Sequence, residues 1–116
     1  MKVALATENG QVTGHCGRSS ELTLVRIEGK RVLEWDEFPS PGPEPGLLVS
    51  FLVAHGVSWF IAGQMEAEVR LLLRNRGVEP LTGVEGPVGQ VLWAFLQGTL
   101  RAADTGINRF SGGAGS

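Results

Sequence analysis

Residues 56–64 read Gly-Val-Ser-Trp-Phe-Ile-Ala-Gly-Gln, and this stretch decides the fold. From Val57 to Ala62 every residue but Ser58 is apolar, and a glycine stands on either side. So short and apolar a run predicts a central strand buried on both faces. Before it, Leu47, Leu48, Phe51, Leu52 and His55 recur at helical spacing, and Gly56 supplies the stop. After it, Gly63-Gln64 makes a turn, and Met65, Val69, Leu72 and Leu73 form the next helical face. Glu66 and Glu68 fall in that helix's first turn, Arg74 and Arg76 in its last, matching the helix dipole at both ends. Gly77 ends it.

The same reading extends both ways. Downstream, Val78 to Leu81 is a short strand, and Gly86-Pro87 opens a third helix whose buried stripe is Val88, Val91, Leu92, Phe95 and Leu96. Upstream, Lys2 to Thr7 reads as a buried strand ending at the turn signal Asn9-Gly10. Leu22 to Glu28 alternates, turns at Gly29-Lys30 and returns as Val32 to Phe38, a hairpin. The segment from Pro39 to Gly46 holds four of the six prolines and is a linker. The order β-β-β-α-β-α-β-α predicts an α/β fold, three-layer α/β/α, with a mixed five-stranded sheet. Residues 1–100 are expected to form a single domain, and residues 101–116 a flexible Gly-rich tail.

Composition narrows the function. The chain has 116 residues, 42% hydrophobic and 19% charged, as a soluble globular domain does. A net charge of −2 gives no support to nucleic-acid binding by phosphate neutralisation. A single cysteine excludes an internal disulfide and fits a reducing cytoplasm. Met1 to Ala6 runs straight into polar Thr7-Glu8-Asn9, which is not the pattern of a leader. No apolar run is long enough to span a membrane. The expectation is a cytoplasmic protein with neither a nucleic-acid nor a membrane partner.

The chemistry concentrates in Thr13-Gly14-His15-Cys16-Gly17-Arg18-Ser19. Imidazole and thiolate are soft-metal donors, guanidinium clamps anions, and the glycines permit close backbone approach. One His and one Cys do not close a zinc site of their own. A phosphatase cradle is excluded as well, because Leu22 stands where its arginine is required, six residues after Cys16. In open α/β sheets ligands bind beyond the carboxyl ends of the parallel strands. Three loops leave that edge here: Glu8 to Arg18, Gly63 to Glu66, and Thr82 to Gly86. The last two run into helix N-termini, which favour anions. The carboxylates at this edge, Glu8, Glu66 and Glu85, are not the acid cluster of a two-metal nuclease. His55 reads as a helix-end and packing residue, and Trp35, Trp59 and Trp93 as sheet packing, with Trp35 on an edge strand among acids.

These pieces carry a resemblance. Val3-Ala4-Leu5-Ala6-Thr7, Gly10-Gln11-Val12, His15-Cys16-Gly17-Arg18, Gly56 to Gly63, Leu71 to Glu79 and Phe95 to Leu100 together resemble the dinitrogenase iron–molybdenum cofactor biosynthesis family. The resemblance spans about residues 1 to 100. It implies a ribonuclease H-like motif and a role in carrying or inserting an iron–molybdenum or iron–sulfur type cluster. The family's His-Phe-Gly loop falls on His15, Cys16 and Gly17. His15 is thereby implied as a metal ligand, and Cys16 either as a second ligand or as a smaller hydrophobe. Gly17, Arg18, Gly63, Met65 and Gly86 complete the implied cofactor-binding surround. The sequence departs from the family in keeping one glycine in Gly63-Gln64-Met65-Glu66, and in placing Pro41 to Gly46 where many members have a His- and Gly-rich stretch.

Two functions follow as expectations. One is a small metal-cluster carrier or accessory protein that exchanges its cargo with a cofactor-accepting or cofactor-donating protein. The other is a regulatory or protein-interaction module on the same fold that has lost cluster binding. Neither is an enzyme, since no nucleophile–base pair with an orienting group can be read from the sequence.

Overall fold

The computed structural model describes residues 1–12, 21–41 and 44–98 of the chain. The elements are β1 (Lys2–Glu8), β2 (Gln11–Val12), β3 (Glu21–Glu28), β4 (Arg31–Pro39), α1 (Pro45–Ala54), β5 (Val57–Ile61), α2 (Ala67–Asn75), β6 (Glu79–Leu81), β7 (Gly86–Pro87) and α3 (Val88–Gln97). The chain is a mixed α/β protein with three helices among the described residues. Its sheet has seven strands, not the five expected. The two extra strands are dipeptides, too short to carry a periodic signal, and exist because they pair with each other. The expected tail, residues 101–116, lies outside the described residues.

β1 is the middle of the sheet. It pairs antiparallel with β3 along Lys2 to Thr7 and parallel with β5 along Lys2 to Leu5, and at Thr7 and Glu8 it pairs with β2. β4 lies outside β3, and β6 outside β5. Val3 to Ala6 have no exposed surface. β5, expected as the central strand, leaves Ser58 and Trp59 half-buried. Its apolar run is the more conspicuous, but β1 is paired on both sides from Lys2 to Leu5 and again at Thr7.

Alternation along β1 divides the core in two. Ala4 and Ala6 join a cluster with Leu48, Val49 and Leu52 of α1, Val69 and Leu73 of α2, and Phe60. Val3 and Leu5 join a second cluster with Val88, Val91, Leu92 and Phe95 of α3. Successive side chains of a strand point to opposite faces, so one strand serves both clusters. The α3 stripe is as expected except that Leu96 is only partly buried. In α1 the buried face is Leu48, Val49 and Leu52, with Leu47 49% exposed. That helix is apolar almost all round, so spacing alone did not fix which side faces the sheet.

The hairpin forms as read, with Gly29 at φ 61 in its turn and Val25 opposite Trp35. Trp59 meets Phe95 edge to face at 5.5 Å. Trp93, by contrast, is 64% exposed on the outer side of α3 and does not pack on the sheet. Among the described residues no helix is long and apolar enough to cross a membrane.

Candidate functional site at the carboxyl edge of the sheet

The end of β1 builds the first part of the site. Asn9 and Gly10 have φ of 55° and 79°, between the pairs Glu8↔Gln11 and Thr7↔Val12. Positive φ at both central residues is the geometry that an Asn-Gly hairpin turn is suited to. It folds β2 back beside β1. β2 then pairs with β7, Val12 opposite Gly86, and the Val88 N–H donates to the Gly10 carbonyl at 3.0 Å. Gly86 reaches φ 128°, a conformation open to glycine and few other residues. The expected helix opening at Gly86-Pro87 is therefore a strand, and α3 begins one residue later. Part of the α3 N-terminus is already satisfied by the protein itself.

The turns after β5 and β6 are tied together. The Ala62 N–H donates to the Leu81 carbonyl at 3.0 Å, and the Gly83 N–H to the Gly63 carbonyl at 2.7 Å. Gly63 is buried in this contact. Met65 is 7% exposed and lies in the cluster with Phe60, Val69 and Leu73, so its thioether is part of the core. Glu8, Glu66 and Glu85 are all exposed. Among the described residues no group of three or more His, Cys, Asp or Glu is close enough to hold a metal ion.

His15, Cys16, Gly17 and Arg18 lie outside the described residues. Their flanks are described. Val12 and Glu21, on either side of segment 13–20, both pair with Thr7, one from each neighbouring strand. Strands stand about 4.8 Å apart, so the two flanks are separated by about 10 Å. The segment thus leaves and rejoins the sheet at the carboxyl end of β1. An open depression there is lined by Glu8, Asn9, Gln11 and Val12.

One polar group at this edge was not foreseen. Thr82, directly after β6, is fully buried, and its Oγ1 has no hydrogen-bond partner among the described residues. The other two buried threonines satisfy each other, Thr7 Oγ1 to Thr23 Oγ1 at 2.9 Å. A buried hydroxyl without a partner is uncommon and marks a place that is not built for stability alone. Its signal in the sequence is slight, a lone hydroxyl between Leu81 and Gly83. His55 sits elsewhere. Its Nδ1–H donates to the Phe51 carbonyl at 2.9 Å, and its ring lies 4.2 Å from that of Phe51 and 5.3 Å from that of Phe38. It is a packing and helix-end residue, as expected from the sequence.

The family described as "Dinitrogenase iron-molybdenum cofactor" matches residues 1–98. Among solved structures, PH0822 is 28% identical with a TM-score of 0.82, over 90% of this chain and 98% of that one. The apo form of the orange protein from Desulfovibrio gigas is 18% identical with a TM-score of 0.76, over 89% and 92%. The Thermotoga protein TM1290, of the DUF35 family, is 24% identical with a TM-score of 0.66, over 91% and 96%. These two share the fold. No curated protein matches the chain.

Proposed function

The chain belongs to the dinitrogenase iron–molybdenum cofactor family, and from that premise we propose that it is a small accessory protein that holds a metal–sulfur cluster as cargo. The cargo is of the iron–molybdenum or iron–sulfur type. It is received from, and passed to, a partner protein of cofactor assembly. Binding and release, with no reaction catalysed, are the whole of the activity, and its location is the cytoplasm. The finer description of the fold, three-layer α/β/α with a ribonuclease H-like motif, belongs to the same proposal. The two core clusters on alternate residues of β1 support it.

What carries this reading is the pairing of both Val12 and Glu21 with Thr7. The segment bearing His15 and Cys16 is thereby anchored at the edge where the Gly63 and Thr82 turns end. Soft-metal ligation falls to His15, with Cys16 as a second donor or an apolar neighbour, as the family resemblance of this loop implies. Arg18, a guanidinium, and the N–H groups at the start of α2 are the groups suited to balance the anionic charge of a sulfide-rich cluster. Thr82 Oγ1 fits as a donor to a cluster sulfur, which explains a hydroxyl buried without a protein partner. The family match does not favour the alternative of a module that has lost cluster binding.

An anaerobic titration of the apo-protein with iron–molybdenum cofactor tests the reading, run beside His15→Ala. Saturable one-to-one binding, lost in the variant, is expected. Failure of the unaltered protein to bind that cofactor or any simpler iron–sulfur or molybdenum–sulfur species contradicts it.

A further inference from the structure

The two edges of the main sheet are finished differently. β6, at one edge, is three residues long and contains Pro80, which has no N–H to offer a neighbour. β4, at the other edge, runs nine residues and among the described residues pairs only with β3. Every residue from Arg31 to Glu37 is exposed, including Val32, Leu33 and Trp35, the last at 45%. The register shifts opposite Leu33, near the hairpin turn, and Glu34 to Pro39 is regular. A long edge with exposed apolar side chains is a template for another strand. Tryptophan is also among the residue types enriched where partners meet.

The charge on this edge is one-sided. Between Val32 and Phe38 stand Glu34, Asp36 and Glu37, and no cation. Glu34 is engaged by Arg26, whose Nε donates to it at 3.1 Å. Among the described residues Asp36 and Glu37 have no such partner. Beside the strand, Glu34, Asp36, Phe38 and His55, together with the cations Lys2 and Arg26, line a small depression of about 70 Å³. A second copy of this chain is a poor occupant. Antiparallel self-pairing over the full length of β4 sets Glu34 opposite Asp36 twice, and like charges directly opposite destabilise a sheet.

We propose that the β4 edge is a docking strand for an extended, basic segment of a partner protein. That segment adds to the sheet beside β4, sets lysine or arginine against Asp36 on one face, and covers Trp35 on the other with an apolar side chain. The backbone hydrogen bonds give the affinity, and the carboxylates choose the partner. This surface is separate from the carboxyl-edge turns, and the proposal does not depend on what they bind.

The test uses the full chain, nitrogen-15 labelled, and three capped nine-residue peptides. One alternates lysine and valine, one alternates glutamate and valine, and one keeps the lysines but replaces the valines by proline. The lysine–valine peptide is expected to shift the backbone amides of residues 31–38 and slow their exchange, while the other two do neither. Asp36→Lys with Glu37→Lys, both at exposed positions, is expected to weaken that binding about tenfold with an unchanged circular dichroism spectrum. Equal binding of the proline peptide would reduce the effect to charge attraction and overturn strand addition. So would shifts centred on another surface, no binding at millimolar peptide, or a concentration-dependent dimer that itself protects β4.

Discussion

Replacing Thr82 by valine should make this protein more stable. Thr82 has no exposed surface, and among the described residues its hydroxyl has no hydrogen-bond partner. Leaving a hydroxyl buried and unpaired costs about 1–3 kcal/mol relative to keeping it in water. Valine has nearly the same shape and replaces the hydroxyl by a methyl group, so the cost is removed without opening a cavity. The expected gain is about 1–2 kcal/mol, and in a domain of this size each kcal/mol raises Tm by about 4–8 °C. The same substitution at Thr23 should have the opposite sign. There the hydroxyl is bonded to Thr7 Oγ1 at 2.9 Å, and its removal orphans Thr7, a loss of about 1–3 kcal/mol. Urea unfolding followed by circular dichroism, on both variants, reads the two signs directly. If Thr82→Val is less stable than the unaltered protein while Thr23→Val is not, the hydroxyl accounting is wrong. If Thr82 serves a bound cluster, the stabilised variant should also bind that cluster more weakly, since functional groups are often held at the expense of stability.

Other substitutions check the remaining parts. His55→Ala removes the ring contacts with Phe51 and Phe38 and the bond to the Phe51 carbonyl, and should lower stability by about 1–2 kcal/mol. It should leave cluster affinity unchanged, and a parallel loss of metal binding would make His55 a ligand after all. Gly29→Ala meets nothing within 4 Å, so its cost is the backbone's alone at φ 61, about 1–2 kcal/mol in thermal unfolding. Leu73→Ala, at a fully buried position, should cost about 2–5 kcal/mol by urea unfolding, and a value under about 1 kcal/mol would contradict the packing of α2 on the sheet.

Much of this fold is legible in the sequence because the hydrophobic periods are long and the turns carry their own chemistry. Asn9-Gly10 is a turn as read, Gly29-Lys30 joins two strands that pair as read, and the stripes of α2 and α3 face the core. Short pairings are not legible. Gln11–Val12 pairs back on β1 and, across seventy-odd residues, with Gly86–Pro87, and two residues carry no period. The apolar run of β5 drew attention from β1, whose small alanines are less conspicuous but lie beneath α1 and α2. For the site, the position of the edge followed from the order of the elements. The orphaned hydroxyl of Thr82 did not, because whether a threonine finds a partner depends on its neighbours in space. Trp93 shows the same limit, since one large apolar residue on a helix does not tell which way it points.

The most direct measurement of the central claim maps a metal–sulfur anion onto the chain. Tetrathiomolybdate is diamagnetic and carries molybdenum, sulfide and negative charge together, so its titration can be followed by backbone amide shifts. A site at the carboxyl edge predicts saturable shifts in residues 8–18, 62–66 and 82–86, absent in His15→Ala, with β4 and His55 undisturbed. Saturable binding whose shifts centre on α1 or β4, or that persists unchanged in His15→Ala, would contradict it.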